Sequence, residues 1–341
     1  MTTRGARLDA GSTAIIEDFP VALAWAPDGA SLAIGGGEGG IYVASIDGIV
    51  RQIGEHAPGV LELAWQPKGA VLASSGQDGA VRMWNPAQQG QEPRLVVQSP
   101  RWPAGLAWRS DGNQLATACG KDLLLFDAEG RPAAKFAGHK IAPSHVVWRG
   151  RDALLAAGNG ALFVDRIADG SIEQLGLEGT PLTLALSPDL KVAANGLADG
   201  TVNFRYLNTR KRSRMSGYAG KVDQTVWSAN SRWLATASTG ATSIVVWDFS
   251  GKGPEGSEPL QLEAHEERIE RLAFQLNGPL LVSAGRDWRV ALWRPGPGQR
   301  AALDIQLLDG PASLAAFSPN GRTLAVAQTS GKLRFFAVTG P

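Results

Sequence analysis

The segment VLELAWQPKGAVLASSGQDGAVRMWN (60–85) contains three short runs of strand-forming residues separated by two tight turns. The first run ends in Trp65 and is followed by the turn PKG, and the second ends before the glycine-rich turn GQDG. The third run ends in Trp84. Alternating apolar runs bounded by glycine and proline turns predict three β-strands joined by two hairpin turns.

The same order of strands and turns recurs along the whole chain. The other copies lie at 21–45, 103–127, 143–165, 181–208, 222–248, 269–295 and 311–338. The first strand of each copy ends in one large apolar side chain, and this column reads Trp25, Trp65, Trp108, Trp148, Leu186, Trp227, Phe274 and Phe317. The column advances by about 42 residues per copy, a spacing typical of propeller blades built from four strands.

A short fourth strand separates the copies, as in IVRQIG (49–54), PRLVVQ (93–98) and PLQLE (259–263). Its first instance, STAIIED (12–18), precedes the first copy, and none follows the last copy. We therefore predict that the N-terminal strand completes the last sheet, which closes the ring and removes two open edges. The predicted fold is an all-β, closed β-propeller of eight four-stranded blades, with seven blades as the alternative. It forms one domain (12–341) after a flexible N-terminal tail (1–11).

From residue 12 to 338 the chain resembles the WD40-repeat family, which is named for a Trp-Asp pair that stands here at Trp247-Asp248. The resemblance implies a hydrogen-bond network of His, Ser or Thr, Asp and Trp that locks a blade. Two copies match all four positions, one with His56, Ser74, Asp78 and Trp84 and the other with His265, Ser283, Asp287 and Trp293. Buried polar groups need partners, which gives these residues a structural role.

The amino-acid composition indicates which classes of partner and which cellular compartment to expect. The chain has 33 basic and 32 acidic side chains, so no strong field favours nucleic acid or an acidic membrane. Its one cysteine, Cys119, excludes a disulfide within the chain and is typical of a reducing compartment. Apolar runs of the length of a signal peptide or a membrane helix are missing from the sequence. We expect a monomeric cytoplasmic protein without membrane or nucleic-acid contacts.

The sequence predicts no catalytic residue, cofactor or metal site. Three of the four histidines precede first strands, where the network needs them, and no histidine pair has metal-ligand spacing. The glycine-rich stretch GGGEGG (35–40) is followed by a strand, whereas phosphate loops lead into a helix. We predict that the chain is not an enzyme. The alternative is a propeller enzyme or small-ligand binder that uses the central channel.

One cluster of like charges interrupts the even charge distribution. Arg210, Lys211, Arg212 and Arg214 lie in NTRKRSRM (208–215), across the start of a fourth strand. Charged side chains on an edge strand prevent edge-to-edge pairing of sheets. The alternative interpretation is a contact for an acidic or nucleic-acid partner.

Two tryptophans fall outside the packing columns. Trp288, in VSAGRDWRVALW (282–293), occupies a turn in which two other copies have Gly79 and Gly200, and Trp102 lies in SPRWP (99–103). In a propeller these turns share a rim with the loops that enter the first strands, and the resemblance implies that this rim binds partners. The alternative is that each ring packs onto a neighbouring blade.

Trp and Arg are the residue types most enriched at interface hot spots. The candidate partner-binding residues on the rim are Arg101, Trp102, His139, Lys140, Tyr218, Arg286, Trp288 and Arg289. We expect a non-catalytic scaffold that binds one or more proteins through this rim, with loops already ordered before binding.

Overall fold

The computed structural model describes residues 5–88 and 90–340. The described residues form 32 β-strands, β1 to β32, which pair only as antiparallel neighbours in eight four-stranded sheets. Seven sheets follow chain order, and the eighth takes its fourth strand from the N-terminus, β1 (Arg7–Ile15). The predicted all-β propeller of eight blades is confirmed, and the alternative of seven blades is wrong.

The strands fall into two compact units of four blades each. The first unit comprises residues 16–184, and the second comprises residues from 185 onward together with those up to Ile15. Within a blade we number the strands from first to fourth. The prediction that residues 12–341 form one domain stays a prediction.

The first unit contains blades one to four. Blade one consists of β2 (Pro20–Trp25), β3 (Ser31–Gly36), β4 (Gly40–Ser45) and β5 (Val50–Glu55). Blade two consists of β6 (Val60–Trp65), β7 (Leu72–Gly76), β8 (Ala80–Trp84) and β9 (Arg94–Gln98). Blade three consists of β10 (Pro103–Trp108), β11 (Gln114–Cys119), β12 (Asp122–Asp127) and β13 (Pro132–Phe136). Blade four consists of β14 (His145–Arg149), β15 (Ala153–Gly158), β16 (Ala161–Arg166) and β17 (Ile172–Gly176).

The second unit contains blades five to eight. Blade five consists of β18 (Ala185–Leu186), β19 (Val192–Gly196), β20 (Val202–Tyr206) and β21 (Arg212–Met215). Blade six consists of β22 (Val222–Trp227), β23 (Trp233–Ser238), β24 (Ser243–Asp248) and β25 (Leu260–Glu263). Blade seven consists of β26 (Ile269–Phe274), β27 (Leu281–Gly285), β28 (Arg289–Trp293) and β29 (Asp304–Leu307). Blade eight consists of β30 (Ala312–Phe317), β31 (Thr323–Gln328), β32 (Lys332–Thr339) and β1.

The hydrophobic cores lie between successive blades. In the first unit, Ala33 and Ile41 of blade one pack with Val60 and Leu72 of blade two. Strands with a buried face on each side read as nearly continuous apolar runs. The second strands are the most completely buried, as in β15 and β27, in which every residue is buried.

The tryptophans that end first strands also link successive blades. Each indole N–H donates to the carbonyl of the next-to-last residue of the preceding blade's first strand. The bonds run from Trp65 to Ala24 (2.9 Å), Trp108 to Ala64 (3.1 Å), Trp148 to Ala107 (2.9 Å) and Trp227 to Ala185 (3.2 Å). The column found in the sequence therefore combines apolar burial with a directional bond.

The N-terminal strand completes blade eight, as predicted, but its bounds differ from the predicted segment 12–18. It begins at Arg7 because β32 is long enough to pair with residues 7–10 as well. The prediction of a flexible tail over residues 1–11 is therefore wrong for residues 7–11. Residues 1–4 lie outside the described residues. The register shifts between Ala10 and Thr13, and a Cβ on Gly11 would lie 2.9 Å from the carbonyl oxygen of Phe335.

The contribution of β1 to stability can be measured at Leu8, which is 2% exposed in the core between blades seven and eight. We expect Leu8→Ala to lower the free energy of unfolding by about 2–4 kcal/mol, because it removes buried methyl groups and leaves a cavity. Thr13→Ala, an exposed change on the same strand, is the control. Urea unfolding that shows equal losses for both variants would contradict the role of β1.

Candidate functional site

The loop before a first strand and the turn between second and third strands lie at the same end of each blade, because the strands are antiparallel. In blade two, His56 joins the two segments: Nε2 lies 2.7 Å from Ser74 Oγ, and Nδ1 lies 2.9 Å from Asp78 Oδ1. Trp84 Nε1 donates to the same Ser74 oxygen at 2.7 Å. Burial lowers the pKa of His56, which keeps the ring neutral. This network, which we call the blade lock, holds the rim loops in place.

Blade seven has the same lock. His265 Nε2 lies 2.7 Å from Ser283 Oγ, its Nδ1 lies 3.0 Å from Asp287 Oδ1, and Trp293 Nε1 donates to Ser283 at 2.9 Å. The Asp287 carboxylate also accepts the backbone N–H of Glu266 at 2.8 Å. The structure thus brings together both sets of four residues that the resemblance singled out.

Blade six builds its lock with a tyrosine. Tyr218 stands four residues before its first strand, as His56 does, and its hydroxyl lies 2.9 Å from Thr236 Oγ1. The same hydroxyl accepts the Trp247 indole N–H at 2.9 Å. Burial raises the pKa of Tyr218, so the hydroxyl stays protonated and able to donate. The polar end of Tyr218 is used inside the blade while the residue stays partly exposed, so its contact with a partner stays a prediction.

Blade four replaces the lock tryptophan with a carboxylate. His139 is 2% exposed, and its Nε2 lies 2.9 Å from Asp165 Oδ1, at the position that Trp84 holds in blade two. Its Nδ1 lies 3.0 Å from the carbonyl oxygen of Lys121. Both ring nitrogens therefore face acceptors, an arrangement that only the protonated ring satisfies fully. A partner contact through His139 is wrong because the ring is buried, whereas the adjacent Lys140 is exposed.

Blade three has lost its lock. Ser99 and Phe126 stand where blade two has its histidine and its tryptophan. Thr117 stands at the serine position, and its buried hydroxyl has no hydrogen-bond partner among the described residues. Loss of the two partners explains this unpaired group.

Trp288 lies at the tip of its hairpin in a left-handed backbone conformation, with φ of +65°. The equivalent turns of two other blades have Gly79 and Gly200 at φ of +78° and +80°. A residue with a side chain costs roughly 1–2 kcal/mol in this conformation. The Trp288 side chain is 50% exposed, and its carbonyl accepts the N–H of Leu308 at 2.8 Å. The ring does not pack fully onto a neighbouring blade.

The groups around Trp288 are held by the blade. Arg289 donates to the carbonyl of Ala264 at 2.9 Å and to Glu266 Oε1 at 2.5 Å, while Arg286 pairs with Glu270. Leu307, opposite Arg289 across the sheet, is 68% exposed. Exposed apolar side chains thus stand beside arginines whose positions are already fixed.

Trp102 precedes β10 in the first unit and is 59% exposed. The neighbouring Arg101 is also exposed, and its N–H donates to Ser99 Oγ at 3.0 Å. Trp102 belongs to the first unit and Trp288 to the second. Phe19, an exposed ring before β2, has no counterpart among the residues predicted from the sequence. Aligning the residue before each first strand would have revealed it.

The basic run at 208–215 is engaged with acidic side chains. Lys211 Nζ lies 2.7 Å from Glu255 Oε1, Ser213 Oγ donates to the same oxygen at 2.9 Å, and Arg214 pairs with Asp199 at 2.8 Å. Burial and the Glu255 carboxylate raise the pKa of Tyr206 to about 12. These contacts favour a structural role for the run.

Other functions can be compared with the described residues, 5–88 and 90–340. They contain no group of three His, Cys, Asp or Glu side chains that could hold a metal ion. They also contain no helix with the length and apolar character needed to span a membrane.

Blades three and six both have a threonine, Thr117 and Thr236, at the position that Ser74 holds in the lock of blade two. The same substitution can therefore be compared in the two blades. Thr117→Val should raise the free energy of unfolding by about 1 kcal/mol, because it removes a buried hydroxyl without a partner. Thr236→Val should lower it by about 1–2 kcal/mol, because the Thr236 hydroxyl bonds Tyr218 and the carbonyl of Val245. The free energies of unfolding are measured by urea unfolding. Changes of the same sign in the two variants would contradict this account of the lock.

The His139–Asp165 pair should make stability depend on pH. Burial alone would lower the pKa of His139, but the hydrogen bond and charge of Asp165 raise it above its ordinary value. The pair's contribution is then complete below that ordinary value and is lost as pH rises through the folded-state pKa. Asp165→Asn should therefore cost more free energy of unfolding at about pH 6 than at about pH 9. The exposed Asp169→Asn is the control, and a cost independent of pH would contradict the charged pair.

Comparison with known proteins finds similarity to WD-repeat proteins. Residues 47–85 and 256–294 match the model of the WD domain, G-beta repeat, and they contain all four residues of each complete lock. The chain is 23% identical over 213 residues to WD repeat-containing protein slp1 of Schizosaccharomyces pombe, covering 61% of this chain and 36% of that protein. It is 34% identical over 91 residues to the probable cytosolic iron-sulfur protein assembly protein 1 of Malassezia globosa, covering 24% and 25% respectively. The chain thus spans about a third and a quarter of these curated relatives.

Two solved structures share the fold over nearly the whole chain. The Dos1 propeller superposes with a TM-score of 0.78 at 17% identity, covering 97% of this chain and 95% of that one. The C-terminal WD40 domain of Sif2 superposes with a TM-score of 0.78 at 16% identity, covering 98% and 99%. Together with the repeats and the blade locks, these matches support a WD40-repeat β-propeller family for the chain and indicate no specific member of it.

Proposed function

We propose that this propeller is a non-catalytic scaffold and that the edge of blade seven around Trp288 anchors a protein partner. The observation that supports it best is the backbone of Trp288. Glycine would fit this turn without strain, yet the chain carries its largest side chain there, half exposed. Retained strain at an exposed position is typical of functional sites.

The surroundings of Trp288 suit a protein partner. Trp288 and the exposed Leu307 offer apolar area, and Arg289 is fixed by Glu266 and Ala264 before any partner arrives. Groups that are already ordered lose little entropy on binding. Large rings beside fixed arginines are the usual composition of interface hot spots.

Trp102 forms a second candidate contact, in the first unit. Its ring and the Arg101 side chain are exposed in the loop before β10, and Lys140 is exposed before β14. We assign these three side chains to partner binding as well. The single cysteine of the chain supports a cytoplasmic location.

A glycine substitution separates binding from folding. Trp288→Gly should leave the chain at least as stable as the wild type, because glycine adopts this conformation without strain. Affinity for the partner should fall at least about tenfold, because a buried aromatic anchor is lost. The measurements are thermal unfolding, and capture of proteins from a native extract quantified by mass spectrometry.

Leu190→Gly is the matched control. Leu190 also has a positive φ, +63°, but lies in a turn between first and second strands, at the other end of its blade. It should change stability in the same direction and leave the captured proteins unchanged. If Trp288→Gly captures the same proteins in the same amounts as the wild type, the proposed anchor is wrong.

A further inference from the structure

Blade one presents an exposed aromatic side chain in addition to Trp288 and Trp102. Phe19 lies in the loop before β2 and is 48% exposed, and Val21, at the bulge of β2, is 37% exposed. Both belong to the first unit. It stands at the rim end of its blade, beside the turn GGEGG (36–40).

The loop that carries Phe19 is rigid because one buried carboxylate organises it. Asp18 Oδ1 accepts the N–H of Phe19 at 2.7 Å and that of Glu38 at 3.0 Å, and Oδ2 accepts the N–H of Gly40 at 3.3 Å. The N–H of Gly37 donates to the carbonyl of Phe19 at 2.9 Å. These hydrogen bonds join residues 18–19 to the turn at 37–40, and they fix the backbone that carries the Phe19 ring.

The glycine-rich stretch is explained by the same contacts. A Cβ on Gly36 would lie 1.7 Å from Asp18 Oδ2, and a Cβ on Gly37 would lie 2.0 Å from the Phe19 ring. Only glycine lets the carboxylate and the ring rest directly on the turn. The stretch thus supports the Phe19 loop, and it leads into β4.

The charged side chains that blade one itself places around Phe19 are acidic, whereas Arg82 of blade two lies 2.6 Å from His56 and is paired with Asp78. At this end of blade one the segments 16–21, 36–40 and 54–58 carry Glu17, Asp18, Glu38 and Glu55 and no lysine or arginine. Burial raises the pKa of Tyr42, and the nearby charges of Asp18, Glu17 and Glu38 raise it further. Glu17, Glu38 and Glu55 are exposed, and the ion pairs found among the described residues do not include them.

We propose that the patch of Phe19 and Val21 binds an extended protein segment in which a lysine or arginine adjoins an apolar side chain. The apolar side chain covers the Phe19 ring, and the cation lies against Glu17 or Glu38. This site goes beyond the proposed function of Trp288, because different residues form it.

The chemistry favours a basic, apolar protein segment over the other common partners. An apolar anchor within a rigid loop gives affinity at low entropic cost. Complementary charge gives specificity and faster association. Nucleic acid and acidic membranes carry the same sign of charge as the rim of blade one and are repelled.

The test uses a library of random ten-residue peptides displayed on phage and selected on the intact chain. We expect the selected peptides to carry lysine or arginine beside an apolar residue. A synthetic, fluorescein-labelled copy of the most enriched peptide is then titrated by fluorescence anisotropy. Phe19→Ala should weaken its binding at least about tenfold.

Charge reversal supplies the decisive comparison. The Glu17→Lys/Glu38→Lys variant should reject the basic peptide and, in a second selection, enrich peptides with aspartate or glutamate. Glu258→Lys/Glu263→Lys makes the same change of net charge on exposed residues of blade six and its loop, and should bind like the wild type. Trp288→Gly should also bind the peptide normally, so failure here is distinct from failure of the proposed function.

Several outcomes would overturn this proposal. They are a selection without enrichment, enriched peptides without basic residues, and a peptide that Phe19→Ala binds as tightly as the wild type. If Phe19→Ala is unstable in thermal unfolding, the charge-reversed variant decides alone. Unchanged peptide preference in that variant is then sufficient to reject the site.

Discussion

The bond from a first-strand indole to the preceding blade is the contact on which the order of the blades depends within each unit. The ring fills the space between two sheets, while its N–H fixes their relative height. Where the column is not tryptophan, other groups make the link, as when Gln275 Nε2 donates to the carbonyl of Gly321 at 2.8 Å. Glu62 adds a link by accepting the N–H groups of Gly105 and Leu106 in the next blade. Burial raises the pKa of this carboxyl.

Within a blade, the requirement that buried polar groups find partners governs how the lock varies. Blade six loses its histidine and keeps its tryptophan, so a tyrosine hydroxyl bridges Thr236 and Trp247. Blade four loses its tryptophan and keeps its histidine, so Asp165 becomes the partner of His139. In blade three both are gone and a hydroxyl remains unpaired. Each substitution changes the chemistry of the lock but still fixes the rim loops, except in blade three.

Rigid loops make the two proposed anchors possible, and the anchors differ in chemistry. Trp288 stands in a strained turn beside arginines that the blade holds, so its patch is apolar and nearly balanced in charge. Phe19 stands on an unstrained loop fastened by Asp18, among the carboxylates of blade one. A scaffold with two such patches can select two different partner segments, because each patch favours binding of a segment with a different combination of charge and apolar surface.

The sequence by itself predicted the strand order within a blade and eight blades, with seven as the alternative, because these features repeat at a constant spacing and a repeat can be aligned. The two complete locks followed from the family resemblance of the same repeats. The sequence also located Trp288, because a tryptophan in a glycine position is visible in that alignment. Only the tertiary structure decided which rim residues are free. His139 proved to be a buried lock residue and Tyr218 a half-buried one, since their partners, Asp165 and Thr236, lie on other strands. The start of β1 at Arg7 depended on the length of β32, and the exposure of Phe19 depended on the Asp18 contacts. Contacts between residues distant in sequence determine burial, and no local pattern contains them.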